Sequence, residues 1–121
     1  MDKDLERGIE LIRQVENSDA IPFLEKAHKK HPQNAEIFRH LGLAHFNLGN
    51  YEDALLNWEK AIELDPNHHQ TYWNLGHLHE IEQRYHEACE AYTQAAVIAE
   101  EVSDSKKAKR YKEWADRVRK I

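Results

Sequence analysis

Several residue types that would point to a particular class of protein are scarce in this chain of 121 residues. A single cysteine, Cys89, excludes an internal disulfide framework and agrees with a reducing compartment. No apolar run approaches the roughly eighteen residues that a membrane helix needs, and the acidic start does not look like a signal peptide. We therefore predict one small, soluble, cytoplasmic domain.

Sequence motifs of enzymes are also missing. The chain has only four glycines, with no phosphate-binding glycine loop and no Gly-x-Ser-x-Gly elbow. Adjacent acids such as Glu52 and Asp53 favour the first turn of a helix and do not suggest a shared proton. We predict a protein that is not an enzyme, with no catalytic residue and no cofactor.

Nine histidines raise the question of a metal site. His28 and His31 have the spacing of a helical ligand pair, and so do His86 and Cys89. Two ligands do not close a site, and His86-Glu87 lacks the second histidine of a zincin helix. We therefore predict no intrinsic metal, and Cys89 is better explained as a small buried apolar residue than as a nucleophile.

Charge is distributed unevenly along the chain. Residues 1–102 hold nine Lys and Arg against nineteen Asp and Glu, whereas residues 103–121 hold eight against three. An acidic body argues against nucleic acid as the main partner, because phosphate binding depends on basic contacts. The basic C-terminal segment keeps open a contact with an acidic partner or with nucleic acid.

The sequence repeats itself every thirty-four residues. Three sets of small residues recur at that interval: Gly8, Gly42 and Gly76; Ala20, Ala54 and Ala88; Ala27, Ala61 and Ala95. Apolar periodicity predicts seven helices, at about 3–15, 20–30, 35–48, 51–64, 69–82, 85–101 and 106–121. The second helix contains Pro22, so we expect it to begin later, or less regularly, than the helix that starts near Tyr51.

The middle stretch resembles a tetratricopeptide repeat. It carries that family's pattern at Phe38, Leu41, Gly42, Ala54, Trp58, Ala61 and Pro66, and has His45 where the family has Tyr. The third stretch is similar through Tyr72, Leu75, Gly76, Ala88, Tyr92 and Ala95, and the first keeps Gly8, Ala20, Leu24, Ala27 and Pro32. The resemblance implies an all-α, right-handed solenoid forming a single domain of 1–121. Its repeats would be 1–34, 35–68 and 69–102, closed by a capping helix at 103–121.

The resemblance also implies that the first helix of each repeat lines a concave groove that binds a protein partner. Counting from the paired Leu-Gly positions gives these candidate peptide-binding residues: Arg39, His40, Leu43, Phe46, Asn47, Trp73, Asn74, His77 and Ile81. Leu43, Phe46, Trp73 and Ile81 would form an exposed apolar patch of the kind that marks partner sites. The alternative is that neighbouring helices or the C-terminal segment cover these side chains.

Some grooves of this family hold the C-terminal carboxylate of a chaperone peptide with Lys, Asn, Asn, Lys and Arg. The matching positions here hold Leu5, Ile9, His40, Gln70 and Asn74. Without those cations the charge-assisted hydrogen bonds to a carboxylate are missing, so we do not expect this mode. Apolar replacements favour a bound helix or extended segment held by buried side chains.

The first helix is out of step with the family pattern. Leu5, Ile9 and Ile12 stand at groove positions, while Asp4 and Arg7 stand at core positions. We predict that this helix is rotated so that its three aliphatic side chains pack inward, because burying Arg7 unpaired would cost several kcal/mol (on the order of 2–7). The alternative is an apolar groove that continues across all three repeats.

Two functional classes follow from these observations. The first is an adaptor, scaffold or co-chaperone-like module that binds a peptide or helix of a protein partner in its groove. The second is a self-assembling scaffold that uses its ends or its basic C-terminal helix, for instance by inserting Trp114 or Val118 into a neighbouring molecule.

Overall fold

The computed structural model describes all of residues 1–121 and is entirely helical, with seven helices and no strand. The helices are α1 (Lys3–Arg13), α2 (Asn17–Lys30), α3 (Ala35–Asn47), α4 (Tyr51–Leu64), α5 (His69–Ile81), α6 (Tyr85–Glu101) and α7 (Ser105–Arg119). None of them is long and apolar enough to cross a membrane. Two compact units, unit 1 (Met1–Pro66) and unit 2 (Asn67–Ile121), are described in turn.

Polar side chains set the starts of three helices. Asp2 Oδ1 accepts hydrogen bonds from the backbone N–H groups of Asp4 and Leu5 at 2.9 and 3.1 Å. Asn34 caps α3 and Asp104 caps α7 in the same way. These contacts satisfy donors that have no partner inside the helix, so the predicted starts of α1 and α3 are confirmed.

The start of α2 differs from the prediction. The helix begins at Asn17, thirty-four residues before Tyr51, and contains Pro22 as its sixth residue. Proline therefore removes one backbone hydrogen bond from the helix interior. The start is set by packing instead: Ala20 is fully buried, and the buried Asn17 side chain accepts a hydrogen bond from Asn47 Nδ2 at 3.0 Å.

The turn inside each repeat uses a left-handed residue at the same position. Val15, Gly49 and Gln83 stand thirty-four residues apart and have φ values of 61°, 81° and 61°. Only Gly49 adopts this conformation without a steric penalty. The sequence pattern identified the turn at Gly49 but gave no sign that Val15 would adopt the same geometry.

In unit 1 each helix pair is closed by a glycine that faces a large side chain. A Cβ atom built on Gly42 would lie 2.3 Å from Trp58 Cδ1, and one on Gly8 would lie 2.6 Å from Leu24 Cδ2. Ala54, Ala61 and Trp58 are all buried, as predicted. A further cluster joins α1, α2 and α3 through Leu5, Leu11, Ala20, Leu24, Ala27, Ile37 and Leu41.

The prediction that the three aliphatic side chains of α1 pack inward is confirmed for Leu5 and only in part for Ile9 and Ile12, and the predicted rotation of the helix is wrong. Leu5 is 1% exposed, Ile9 and Ile12 pack against the same cluster, and Arg7 faces solvent. The helix is nevertheless not rotated, because Gly8 meets Leu24 as Gly42 meets Trp58. The face of α3 that contacts α2 is apolar, whereas the same positions of α1 carry exposed Lys3, Arg7 and Glu10.

Unit 2 has the same helix pair with one addition. A Cβ atom built on Gly76 would lie 2.3 Å from Tyr92 Cε1, and Ala88 and Ala95 are fully buried. Helix α7 then packs on α6 through Ala108, Tyr111, Ala115 and Val118, all at most 3% exposed. These are the four residues whose spacing predicted a closing helix.

Candidate functional site

The α3 face, which consists of the predicted residues Arg39, His40, Leu43, Phe46 and Asn47, combines apolar and polar groups. The Phe46 ring lies 5.5 Å from the rings of both Tyr51 and Trp58, so its position is fixed within its own repeat. Phe46 and Leu43 remain partly exposed. The α3 face therefore offers aromatic and aliphatic surface that is held in place before anything binds.

The equivalent positions of α1 also carry large, partly exposed apolar side chains. Ile9 and Ile12 occupy the repeat positions of Leu43 and Phe46, and both are partly exposed. All four side chains are large and apolar although none is fully buried. The same two positions are apolar and partly exposed in both repeats of unit 1. This recurrence distinguishes the surface from single apolar residues scattered over a protein.

The polar residues of the α3 face are already engaged inside unit 1. Arg39 Nη1 lies 3.5 Å from Asp65 Oδ2, and the Arg39 carbonyl accepts a hydrogen bond from Trp58 Nε1 at 3.1 Å. Burial lowers the pKa of His40, with nearby Arg39 acting in the same direction and Glu36 opposing it. His40 is therefore neutral at pH 7 and adds no positive charge to this face.

The α5 face, which consists of the predicted residues Trp73, Asn74, His77 and Ile81, differs from the expected open patch. Helix α7 covers part of it: Trp114 lies 6.4 Å from Trp73 and 5.0 Å from His77, both edge to face. Ile81 alone among the four apolar residues of the expected patch is more than a third exposed, at 51%. The alternative that the C-terminal segment covers these side chains is thus what the structure shows for Trp73 and His77.

A hydrogen-bonded chain runs beneath Trp114 in unit 2. Tyr92 Oη lies 2.6 Å from His77 Nδ1 and donates to Glu80 Oε1 at 2.8 Å, and Arg117 donates to the same carboxylate at 2.7 Å. Burial alone would raise the pKa of Glu80, but the hydrogen bonds from Arg117 and Tyr92 lower it. Burial lowers the pKa of His77, and burial together with Glu80 raises the pKa of Tyr92 far above its usual range.

Two residues of α7 join this site that the groove prediction did not include. Trp114 sits against Trp73 and His77, and the Arg117 guanidinium lies 4.4 Å from the centre of the Trp114 ring. The sequence signalled Trp114 only as an aromatic in a basic helix. Its contacts depend on the packing of α7, which the repeat pattern does not encode.

A second concave region lies within unit 2, with a volume of about 980 Å³. Its lining includes Tyr85, His86, Cys89 and Thr93 of α6, with Val118 and Arg119 of α7. Cys89 is only partly buried, so the prediction of a core cysteine is corrected. Its thiol lies 3.7 Å from the carbonyl oxygen of Ala115, which leaves it at the edge of the contact between α6 and α7.

Neither of the two ligand pairs found in the sequence has a third potential metal ligand beside it. No group of three or more His, Cys, Asp or Glu side chains comes close enough together to hold an ion. His86 pairs instead with Glu90 at 3.0 Å, and His31 with Asp2 at 3.2 Å.

Two family models decide the identity of the repeats. Both describe the tetratricopeptide repeat, and they match residues 35–68 and 69–102. The chain belongs to the tetratricopeptide repeat family. The resemblance found in the sequence is thereby confirmed, and with it the all-α repeat fold.

This tetratricopeptide repeat chain is similar in sequence to part of a longer protein. The Hsp70-Hsp90 organizing protein of Triticum aestivum is 29% identical over 91 residues, which are 75% of this chain and 16% of that protein. The chain thus spans about a sixth of the length of that relative.

Solved structures agree on the fold. PcrH, in complex with the chaperone binding region of PopD, has a TM-score of 0.90 at 20% identity, covering 98% of this chain and 92% of that one. The TPR2AB domain of yeast Sti1, in a complex with pHSP90, has a TM-score of 0.87 at 21% identity and covers 96% and 45%.

Proposed function

We propose that this chain is a protein-interaction module, not an enzyme, and that it binds a helix or extended segment of a partner protein. The observation that supports this most is the paired apolar surface of unit 1, where Ile9 and Ile12 are matched by Leu43 and Phe46. Large apolar side chains kept partly exposed and held rigid are the usual anchors of peptide recognition. Tetratricopeptide repeats in proteins named for chaperone organisation or solved with bound partners support the same class of function.

Capture of a chaperone C-terminal carboxylate remains outside this proposal. Leu5 stands where that mode needs a lysine and is buried, and Ile9 stands where it needs an asparagine. His40 is neutral at pH 7 because its pKa is lowered by burial. The side chains at these positions favour apolar contact and offer no cation for a charge-assisted hydrogen bond.

Self-assembly through the ends of the repeat array is less well supported. The outer face of α1 carries exposed Lys3, Arg7 and Glu10, where α3 has residues that pack on α2. In α7 the eighth residue is Lys112, whereas the eighth residue of α3 and of α5 is a glycine. A further helix could not approach α7 as Trp58 approaches Gly42.

The basic C-terminal helix is likewise a weaker candidate for binding nucleic acid. Lys112, Arg117 and Arg119 pair with carboxylates of Glu100, Glu80 and Asp116 inside unit 2. These pairs reduce the charge available to a phosphate backbone.

A peptide-display selection against the whole chain tests the proposal. Peptides selected on the wild-type protein would be measured by fluorescence anisotropy against Leu43→Asn and against the control Leu56→Asn. Leu56 is 60% exposed on α4 and has the same side chain, so the two changes differ mainly in position. Circular dichroism melting would show that both variants fold.

We expect Leu43→Asn to weaken binding about tenfold or more, since a lost apolar anchor is worth roughly 1.5–3 kcal/mol, and Leu56→Asn to leave it unchanged. Peptides that bind both variants equally, or that lose affinity only for Leu56→Asn, would move the site away from the α3 face.

A further inference from the structure

A small cavity lies beside Trp73 in unit 2. Its volume is about 10 Å³, and its lining consists of Trp73 from α5 with Lys107, Arg110 and Tyr111 from α7. That volume holds roughly one water-sized atom. The cavity is therefore too small for a side chain and large enough for a single oxygen.

One of the residues that line this cavity has a buried donor without a partner. Trp73 Nε1 is buried and makes no hydrogen bond. An indole N–H can only donate, and leaving such a group buried and unpaired is unfavourable because it loses its hydrogen bond to water. In native proteins nearly all buried donors form a hydrogen bond, either to a protein atom or to an ordered water molecule.

The charged groups around the cavity are cations without ion-pair partners. Arg110 lies over the Trp73 ring at 5.7 Å, and neither Arg110 nor Lys107 is within ion-pair distance of a carboxylate. Three other cations of α7, at Lys112, Arg117 and Arg119, are all paired. Lys106 and Lys109 of α7 are also outside any ion pair, but they do not line the cavity. Lys107 and Arg110 are therefore the unpaired cations of α7 that lie beside Trp73.

The neighbouring polar groups do not fill this role. Tyr111 Oη is engaged with His69 Nδ1 at 2.8 Å. The nearest acids along the chain are Asp104, which caps α7 by accepting a hydrogen bond from the backbone N–H of Lys107, and Glu113, three residues after Arg110. Neither carboxylate is within ion-pair distance of Lys107 or Arg110. The lining therefore presents donors and positive charge to whatever enters.

We propose that this cavity is an oxyanion subsite, in which Trp73 Nε1, Lys107 and Arg110 hold one oxygen of a carboxylate or phosphate carried by a partner protein. The subsite rests on the proposed function and adds to it the chemistry of the partner, which is acidic at this point. It uses two α7 cations and an indole, at positions different from the five discussed above for capture of a peptide C-terminus.

Nuclear magnetic resonance of the tryptophan side chains tests this directly. The whole ¹⁵N-labelled chain would be titrated at pH 7 with sodium acetate and, separately, with inorganic phosphate, at constant ionic strength kept by sodium chloride. Trp73→Phe identifies the indole N–H resonance of Trp73 among the three tryptophans. The affinity is then compared for Lys107→Gln, Arg110→Gln and the control Lys109→Gln, an exposed cation of α7 outside the cavity.

We expect a saturable shift of the Trp73 resonance with at least one of the two anions, and the anion that saturates names the oxyanion class. Lys107→Gln and Arg110→Gln should each weaken binding about tenfold, as for loss of a charged hydrogen bond, and Lys109→Gln less than twofold. A shift that does not saturate, or equal affinities in all three variants, would assign the cavity to water. If peptides still lose affinity for Leu43→Asn in that case, the oxyanion subsite fails while the interaction module stands.

Discussion

At the scale of single residues, the contact between Gly42 and Trp58 shows why the repeat needs a glycine. The Trp58 ring is rigid, buried, and tied through Nε1 to the Arg39 carbonyl, so it cannot move away from a new methyl group. Gly8 faces Cδ2 and Cγ of Leu24 instead, at 2.6 and 2.7 Å from a built Cβ atom, and this aliphatic side chain can shift more easily than a ring. Two glycines at equivalent positions therefore tolerate substitution differently.

We predict that Gly42→Ala destabilises the protein by about 1–3 kcal/mol through overpacking, partly offset by up to about 1 kcal/mol of helix propensity. Gly8→Ala should cost less by about 1 kcal/mol or more. Urea unfolding of both variants measures the difference. Equal midpoints would show that the Trp58 ring adapts as readily as a leucine.

Two histidines make stability depend on pH. Burial lowers the pKa of both His40 and His77 below the usual 6.5. Between that value and the lower folded pKa the unfolded chain binds more protons than the native chain, so stability is complete above about pH 6.5 and falls as the pH drops further.

We predict a lower urea midpoint at pH 5.5 than at pH 7.5, with a smaller difference in His40→Asn and in His77→Asn. The slope with pH is the readout, because His77→Asn also removes the contact with Tyr92. A midpoint that rises on acidification would contradict the direction of both shifts.

At the scale of elements, the turn after α1 is strained where the turn after α3 is not. Val15 is a β-branched residue at φ 61° and is 80% exposed, so its side chain gains no packing in return. Gly49 has the same conformation, and a Cβ atom built there meets nothing within 4 Å.

Opposite effects are predicted for exchanging these two residue types. Val15→Gly should raise the free energy of unfolding by roughly 1 kcal/mol, and Gly49→Val should lower it by about 1–2 kcal/mol, since the left-handed conformation is the shared cause. Thermal melts of the two variants provide the measurement. Changes of the same sign in both would mean that the turn relaxes around the side chain.

Helix α2 carries a second local penalty at Pro22. This residue is exposed and its missing N–H leaves the carbonyl of Ser18 without its helical donor. We predict that Pro22→Ala stabilises the protein by about 1–3 kcal/mol. Pro66→Ala, outside any helix, is the control and should not gain stability, because Pro→Ala by itself raises the entropy of the unfolded chain. An equal gain in both variants, or none in Pro22→Ala, would show that the missing helical hydrogen bond is not the cause.

The sequence predicted the helices well where local signals agree with packing. The repeat gave α3 to α6 within a residue, because capping residues, turns and apolar periodicity coincide there. It misplaced the start of α2, since the buried Asn17 and Ala20 outweigh the preference of Pro22 for a first turn. Local propensity is a weak prior where tertiary contacts decide.

At the scale of the whole molecule, the fold and family follow from the repeat, whereas the candidate site follows only in part. The register placed Leu43 and Phe46 on a partly exposed face, as expected. It did not foresee that Trp114 would cover Trp73 and His77, because that contact depends on how α7 lies on α6. The remaining site residues stay a prediction.

The central claim is that the first helices of the repeats, and not the second helices, receive a partner segment. Amide hydrogen exchange of the whole chain, with and without a peptide selected by display, measures this helix by helix. We predict slower exchange on binding in α1 and α3, with α4 unchanged. Protection confined to α4 or α6 would place the partner on the opposite faces and contradict the account.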